Sequence, residues 1–313
     1  MNRLCNCPKP CLSCCVFFVI IFCLFSFSLC KASIIATNTK LVYAKPKVNL
    51  DTPFFIGSIS KQVTAVLALK YLTGRLDSDV KKFLKEKAYY RLHGCTVRQL
   101  LHHTSGVDFK TGKRRIGYNY QNENYDIIGR VLESVTGRRY EDLANELFKR
   151  AGMRGTFFHS DVSEEELFKK LRKSLRLIGL NHAALTNILM KQMNPSGGVI
   201  STARDLLKWS QYLEKHGLYK KLTESQVEMN RGGSDRYGFG VVICGDLIMH
   251  CGAILNAIDE YCTICVLVYN IKTRKTTVGF EVFKLSKGES LDQKTKHLQA
   301  KVITSLSSDQ CKS

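Results

Sequence analysis

Strand-forming segments lie at both ends of this chain and helix-forming ones fill its middle, an order that leaves few ways to build a core. SIIATN and KLVYAKPKV, β-prone and separated by a polar turn, predict a hairpin near the start. YGFGVVICGDLIMHCG and YCTICVLVYNI predict strands near the other end, and residues 290–305 a closing helix. Between them, apolar Val63, Val66, Leu67 and the run at 69–71 predict a mostly buried helix over 62–72, stopped near Gly74. CTVRQLLHHTSGV predicts a helix-like run ended by Ser105 and Gly106, NYDIIGRVLESVTG a helix closed by Gly137, and YEDLANELFKRAGM another helix. NPSGGVISTARDLLKWSQYLEKHG predicts a turn, then Ser201 or Thr202 as the N-cap of an amphipathic helix. If the two strand-bearing ends share one sheet, the result is an α+β fold: an antiparallel sheet flanked by helices, with a helical lobe inserted at roughly residues 75–195.

Size and composition fit one large core or two lobes. The chain has 313 residues, 44% hydrophobic and 24% charged, an ordinary globular balance. Its formal charge of +20 is scattered rather than gathered into a basic arm. A field of that sign attracts anionic polymers or lipid headgroups, but nothing in the sequence resembles a nucleic-acid motif, so no nucleic-acid partner is expected.

Seven of the thirteen cysteines fall in the first thirty residues. Arg3 and Lys9 precede a nearly uncharged apolar run at 14–29, and Lys31, Ala32 and Ser33 follow it. Residues 1–32 therefore read as a signal peptide for export to a periplasmic or secreted location. An uncleaved membrane anchor over 14–29 is the alternative, since the run is only just short of the roughly 18 residues of a spanning helix. FSL before Cys30 matches a lipoprotein box poorly, so no lipid anchor is expected there. Cys262 and Cys265 form a C-x-x-C inside an apolar run; residues three apart on a strand point to opposite faces, which favours two buried small hydrophobes over a redox or zinc pair. His102 and His103 are adjacent and have no third ligand in view, so no metal and no cofactor are expected.

One residue pair suggests chemistry. Serine hydrolysis without a His–Asp pair needs a base beside the hydroxyl, and a lysine three residues on supplies one when both lie on one helical face. Ser58 and Lys61 have that spacing, at the opening of the buried helix, where the dipole favours an alkoxide and an oxyanion. Lys61 must be partly neutral to accept a proton, which requires burial or a nearby cation. Ser-x-x-Lys also occurs at Ser28/Lys31 and Ser78/Lys81, in the leader and in a charged stretch. Spacing alone leaves a plain helix cap at Ser58 equally open.

Several ordered segments carry a more specific resemblance. FFIGSISKQVTAVLALKYL is similar to the nucleophile helix of the class C β-lactamase, DD-peptidase and esterase family. CTVRQLLHHTSGV resembles that family's run ending in His-Thr-Ser-Gly, and YQNENYDIIGRVLESVTGRRYEDLANELFKRAGMRGT resembles its second motif and the helices after it. PSGGVISTARDL, YGFG and HCG follow in family order, so the resemblance extends from about residue 35 to about residue 270. It implies a β-lactamase/transpeptidase-like fold over 33–313, with Ser58 as the acylated nucleophile, Lys61 as its proton partner and Tyr120 as a general base. It further implies that Asn122 orients Lys61 and the substrate amide, that His250 and Gly252 form the third motif, and that the backbone N–H groups of Ser58 and Ala253 form an oxyanion hole. Tyr118 competes with Tyr120 on proximity, but spacing to Tyr125 and Gly129 sets the register on Tyr120. His103 matches a family histidine; Ser105, Ser196, Gly197 and Gly198 read as loop-shaping residues.

The sequence departs from the family in three places. The hairpin before the nucleophile is short, histidine replaces the lysine of true β-lactamases in the third motif, and AILNAIDEY after HCG lacks the usual glycine and aromatic pattern. The expectation is a serine hydrolase acting through an acyl-enzyme on a small-molecule or peptide substrate: a cell-wall peptide, a β-lactam or an ester. The alternative is a catalytically weak or inactive relative that binds an acyl ligand or a partner.

Overall fold

The computed structural model describes residues 30–38, 40–44, 48–84, 92, 94–109, 111, 113, 115–178, 194–229, 234–256, 261–284 and 290–307. The apolar run expected to be a signal or anchor lies outside them. Residues 31–313 form one compact unit.

The hairpin expected at the start is present, with β1 (Cys30–Thr37) and β2 (Leu41–Ala44) paired antiparallel around Ile35 and Tyr43. Three short strands, β3 (Phe54–Phe55), β4 (Phe157–Phe158) and β5 (Val199–Ser201), make a small sheet in the order β3-β5-β4. The remaining strands are β6 (Val227–Glu228), β7 (Arg236–Tyr237), β8 (Val242–Cys244), β9 (Leu247–Asn256), β10 (Tyr261–Asn270) and β11 (Lys275–Lys284). They join β1 and β2 in an eight-stranded sheet, β2-β1-β11-β10-β9-β8-β7-β6, so the two ends of the chain do share one sheet. Helices in chain order are α1 (Ser60–Tyr71), α2 (Val97–Leu101), α3 (Asn122–Thr136), α4 (Tyr140–Arg150) and α5 (Glu164–Ile178), followed by α6 (Asn194–Gly197), α7 (Ala203–Lys215), α8 (Leu218–Thr223) and α9 (Leu291–Ser307).

β10 shows why its sequence is a near-continuous apolar run. Cys262, Ile264, Val266 and Val268 pack on Leu298, Val302 and Leu306 of α9, while Cys265, Leu267 and Tyr269 belong to the main core on the opposite face. Period-2 alternation with both faces covered leaves no polar side. Cys262 and Cys265 accordingly point apart, each buried among hydrophobes.

Three details differ from the sequence reading. The segment YGFGVVICGDLIMHCG is not one strand but β7, β8 and β9, interrupted by turns at Gly240 and Gly245, both with positive φ. The run CTVRQLLHHTSGV is helical only to Leu101: Thr96 and Gln99 close a capping box at its start, and His103, at φ 58°, turns the chain out of the helix well before Ser105. The turn expected at NPSGG is the one-turn helix α6, and Thr202 rather than Ser201 caps α7, accepting from the Asp205 N–H. No prediction covered β11, α5 or α8.

Candidate active site

α1 is buried along nearly its whole length, so its polar side chains need partners inside the protein. They have them. Trp209 Nε1 donates to Gln62 Oε1 at 2.9 Å, Thr64 donates to the Pro195 carbonyl at 2.6 Å, and Tyr140 in turn donates to Thr64 at 2.7 Å. Ser60 Oγ donates to the Gly57 carbonyl at 2.7 Å. These bonds tie α1 to α4, to α7 and to the residues at α6.

Ser58 lies just before α1, in a 3-10 turn over Gly57–Ile59, and is half-buried. Two sheets hold that turn. Ile56 N donates to the Val199 carbonyl at 3.0 Å, continuing the pairing of β3 with β5. On the other side the turn meets β9. Gly57 has φ +51°, and a Cβ there would lie 2.8 Å from Ala253 N; a Cβ on Gly252 would lie 2.9 Å from Ser58 N and inside the Ile56 carbonyl. Glycine is required at both positions because two backbones touch. β8 pairs only with residues 247–249 of β9, so the edge of β9 from His250 onward faces the Ser58 turn instead of another strand.

Lys61 is completely buried beneath this turn. Its Nζ lies 2.9 Å from Ser58 Oγ, 2.8 Å from Asn122 Oδ1 and 2.8 Å from the Ser196 carbonyl. Burial, opposed by the Asp126 and Glu123 carboxylates, brings the amine down to about 7. An oxygen of the Asn122 amide and a backbone carbonyl can only accept, so a neutral Lys61 keeps its two protons on them and turns its lone pair toward Ser58. The burial and perturbation that the sequence argument required of Lys61 are therefore in place.

Tyr120 is half-buried, with its ring centroid 4.9 Å from Lys61 Nζ and 4.3 Å from the His103 ring. Tyr118 instead packs against His103 and Tyr237 at 5.9 and 5.4 Å, so Tyr120 is the one of the two whose ring faces the amine. Asn122, exposed, opens α3. His250 is buried on β9. Its Nδ1 donates to the Cys251 carbonyl at 2.8 Å, and its Nε2, 3.2 Å from Tyr237 Oη, accepts from that hydroxyl. Burial, with Lys61 adding to it, holds the imidazole neutral down to about 3. Both ring nitrogens are thus committed inside the protein. Ala253 is exposed, opposite Ile264 of β10.

Ser58, Lys61, Tyr120, Asn122, His250, Gly252 and Ala253 lie around one turn, together with residues that were not expected there. Ser196, read as loop-shaping, supplies a carbonyl to Lys61. Tyr237 and Asp126 lie inside quoted segments, YGFG and NYDIIGRVLESVTG, but were given no role there; the signal available for Asp126 was its position one turn after Asn122 on a predicted helix. His103 packs under Tyr120, accepting from Gln121 N at 3.3 Å and pairing with Asn124 Nδ2 at 3.1 Å, while His102 Nε2 pairs with Ser225 Oγ at 2.9 Å. Among the described residues no group of three or more His, Cys, Asp or Glu is placed to hold a metal ion.

Comparison with known proteins gives the family and the fold. The sequence model of the family described as Beta-lactamase matches residues 32–250. The chain is 25% identical over 232 residues to a D-aminopeptidase of Brucella anthropi, covering 62% of this chain and 43% of that protein. It is 27% identical over 197 residues to penicillin-binding protein 4 of Amycolatopsis lactamdurans, covering 52% and 51%. The chain thus spans about half the length, or less, of these curated relatives. Among solved structures, a penicillin-binding protein from Bacillus halodurans superposes with a TM-score of 0.64 at 16% identity, over 92% of this chain and 99% of that one. The D-alanine carboxypeptidase AmpC from Burkholderia cenocepacia does so at 0.62 and 16%, over 94% and 99%. At such identities the structural likeness carries the fold alone, and the family rests on the sequence match over well more than half of the chain. The chain belongs to the β-lactamase family of serine hydrolases, of the type that includes serine β-lactamases, penicillin-binding proteins and D-aminopeptidases.

Proposed function

We propose that this protein is a serine hydrolase that acylates Ser58 from an amide, lactam or ester carbonyl and passes the acyl group to water. The observation that carries the reading is Lys61 Nζ, buried, close to neutrality and 2.9 Å from Ser58 Oγ, with its other two partners able only to accept. As Ser58 Oγ forms a bond to the carbonyl carbon, its proton passes to Lys61. The carbonyl oxygen takes the negative charge and is stabilised by the N–H groups of Ser58 and Ala253, on the two backbones that Gly57 and Gly252 allow to meet. Collapse breaks the bond to the leaving nitrogen or oxygen, which takes a proton from Tyr120 or Lys61; water, deprotonated by the same groups, then cleaves the acyl ester and restores Ser58.

The third-motif histidine narrows the substrate. A neutral imidazole with both nitrogens engaged offers no cation to a carboxylate, which favours esters or amides lacking one over β-lactams. The substrate class is therefore read as an acyl donor without a carboxylate, and a D-aminopeptidase of Brucella anthropi is among the relatives. Export or anchoring through residues 14–29 is proposed on the sequence pattern alone.

Exposure of the folded chain to a fluorophosphonate and to a fluorescent penicillin, followed by mass spectrometry, tests the reading. An adduct on Ser58 that is lost in Ser58→Ala is expected with the fluorophosphonate. Absence of an adduct with either probe would sink the hydrolase reading in favour of a binding role for the same fold.

A further inference from the structure

We propose that His103 is a positioning residue for Tyr120, fixing the phenol beside Lys61 by anchoring the chain on both sides of it. The proposal rests on the reading of Ser58 as nucleophile and Tyr120 as a proton carrier. Residues 118–121 belong to no helix or strand, so Tyr120 owes its place to contacts from elsewhere in the chain. The backbone N–H groups on either side of it both end on His103. Asn119 N donates to the His103 carbonyl at 2.7 Å, and Gln121 N donates to its Nδ1 at 3.3 Å. Asn124 Nδ2, in the first turn of α3, donates to the same nitrogen at 3.1 Å. Between these bonds the Tyr120 ring packs on the imidazole, centroids 4.3 Å apart, with Lys61 Nζ 4.9 Å from the phenol ring.

A helix stop alone does not explain the side chain. His103 has φ 58° just after α2, and Thr104 N donates back to the Gln99 carbonyl at 2.8 Å. Glycine, or asparagine, is the usual residue at such a left-handed helix end, because a Cβ is crowded there. The hydrogen bonding of the ring is also one-sided. Gln121 N can only donate, so Nδ1 carries the lone pair and the proton sits on Nε2. Nε2 is buried and has no hydrogen-bond partner among the described residues; the Tyr125 and Tyr237 rings stand 5.1 and 5.0 Å from the imidazole. A buried donor left unpaired is a cost, as is the positive φ. What the imidazole returns is the acceptor at Nδ1 and the surface under Tyr120. Burial, with the Lys61 charge adding to it, keeps the ring neutral well below the ordinary histidine range, so that acceptor persists.

Two variants of the full chain separate the backbone of His103 from its ring. His103→Gly relieves the positive φ and keeps the carbonyl but removes Nδ1. His103→Asn tolerates the same φ and returns an acceptor, since Oδ1 stands as many bonds from the backbone as Nδ1 does. His103→Leu, which fills the space without an acceptor, replaces the glycine variant if that one does not fold. Amide hydrogen exchange is read at Asn119 and Gln121. In His103→Gly the Gln121 N–H should exchange about tenfold faster or more, and in His103→Asn at near the wild-type rate, with Asn119 slow in both. Release of an acyl group from Ser58, loaded from a nitrophenyl ester, is followed by mass spectrometry. It should slow by about 100-fold in His103→Gly, as a displacement of about 1 Å does, and recover by about tenfold or more in His103→Asn. Adding His103→Gly to Tyr120→Phe should cost nothing further, because both act on the same hydroxyl. Unchanged Gln121 exchange in the folded variant, or a loss that adds in full to that of Tyr120→Phe, overturns the proposal. Exchange that responds as expected in a protein that never carries an acyl group on Ser58 upholds the hold of His103 on this segment and defeats the hydrolase reading instead.

Discussion

Lys61 Nζ and Ser58 Oγ lie 2.9 Å apart across the first turn of a helix that is buried on every side. That burial lowers the amine to about 7, so the form able to accept a proton exists only as pH rises through that value. Fluorophosphonate labelling of Ser58 is expected to climb with pH up to about 7 and to fall about tenfold per unit below it, as one ionisation requires. Lys61→Met should reduce the rate by about 100-fold to 10,000-fold and remove the transition. A rate that is flat from pH 5 to 9 would rule out Lys61 as the proton acceptor.

Gly252 is the place where β9 touches the Ser58 turn. A methyl group at 252 meets the Ile56 carbonyl and the Ser58 N–H, both backbone and neither able to swing aside. Gly252→Ala should cost about 1–3 kcal/mol in denaturant unfolding, as overpacking does, and should slow Ser58 labelling by parting the two proposed oxyanion donors. Full stability together with full labelling would show that the two backbones are not in contact.

His250 is expected to stay neutral, with its proton on Nδ1, down to about pH 3. Nitrogen-15 chemical shifts of the imidazole report this directly, and titration near the ordinary histidine value would contradict the buried arrangement. His250→Lys places a cation where the family's lactamases carry one. It should raise labelling by a fluorescent penicillin relative to hydrolysis of a nitrophenyl ester by roughly tenfold, the worth of one charge-assisted hydrogen bond. An unchanged ratio would separate substrate preference from this position.

Trp209 Nε1 donates to Gln62 Oε1 inside the core. Gln62→Met keeps the volume but leaves the indole N–H without an acceptor, at a cost of about 1–3 kcal/mol. Guanidinium unfolding measures it; a change below a few tenths would mean that the bond is replaced by water.

Tyr120 is the second group proposed to move protons, and it stands against Lys61 rather than in a core of its own. Tyr120→Phe removes the hydroxyl and keeps the ring packed against His103. Deacylation is expected to slow by about 100-fold or more with the fold intact. Release of acyl groups at the wild-type rate would transfer that role to another residue.

Much of this was legible in the chain. Val63, Val66 and Leu67 gave the buried helix, Gly137 the end of α3, and the near-continuous apolar run of 261–270 a strand with two covered faces, because periodicity and turn chemistry are local. β11 was missed because KTTVGFEVFK mixes polar and apolar residues: Val278, Phe280 and Val282 face the main core, while Glu281 on the other face meets Lys301 of α9. The break in 236–256 is by contrast a local signal, since Gly240 and Gly245 turn the chain there.

The sequence by itself determined the kind of chemistry that could be present: a serine and a lysine at helical spacing, with Tyr120, Asn122 and His250 in the family's order. Tertiary structure decided what state those residues are in. Lys61 is near neutrality because α1 is enclosed, Asn122 and the Ser196 carbonyl reach its amine because α3 and α6 converge there, and His250 is silent because Tyr237 and the Cys251 carbonyl take both its nitrogens. Protonation depends on burial and on charges brought from distant parts of the chain, and neither is a property of residue type or spacing.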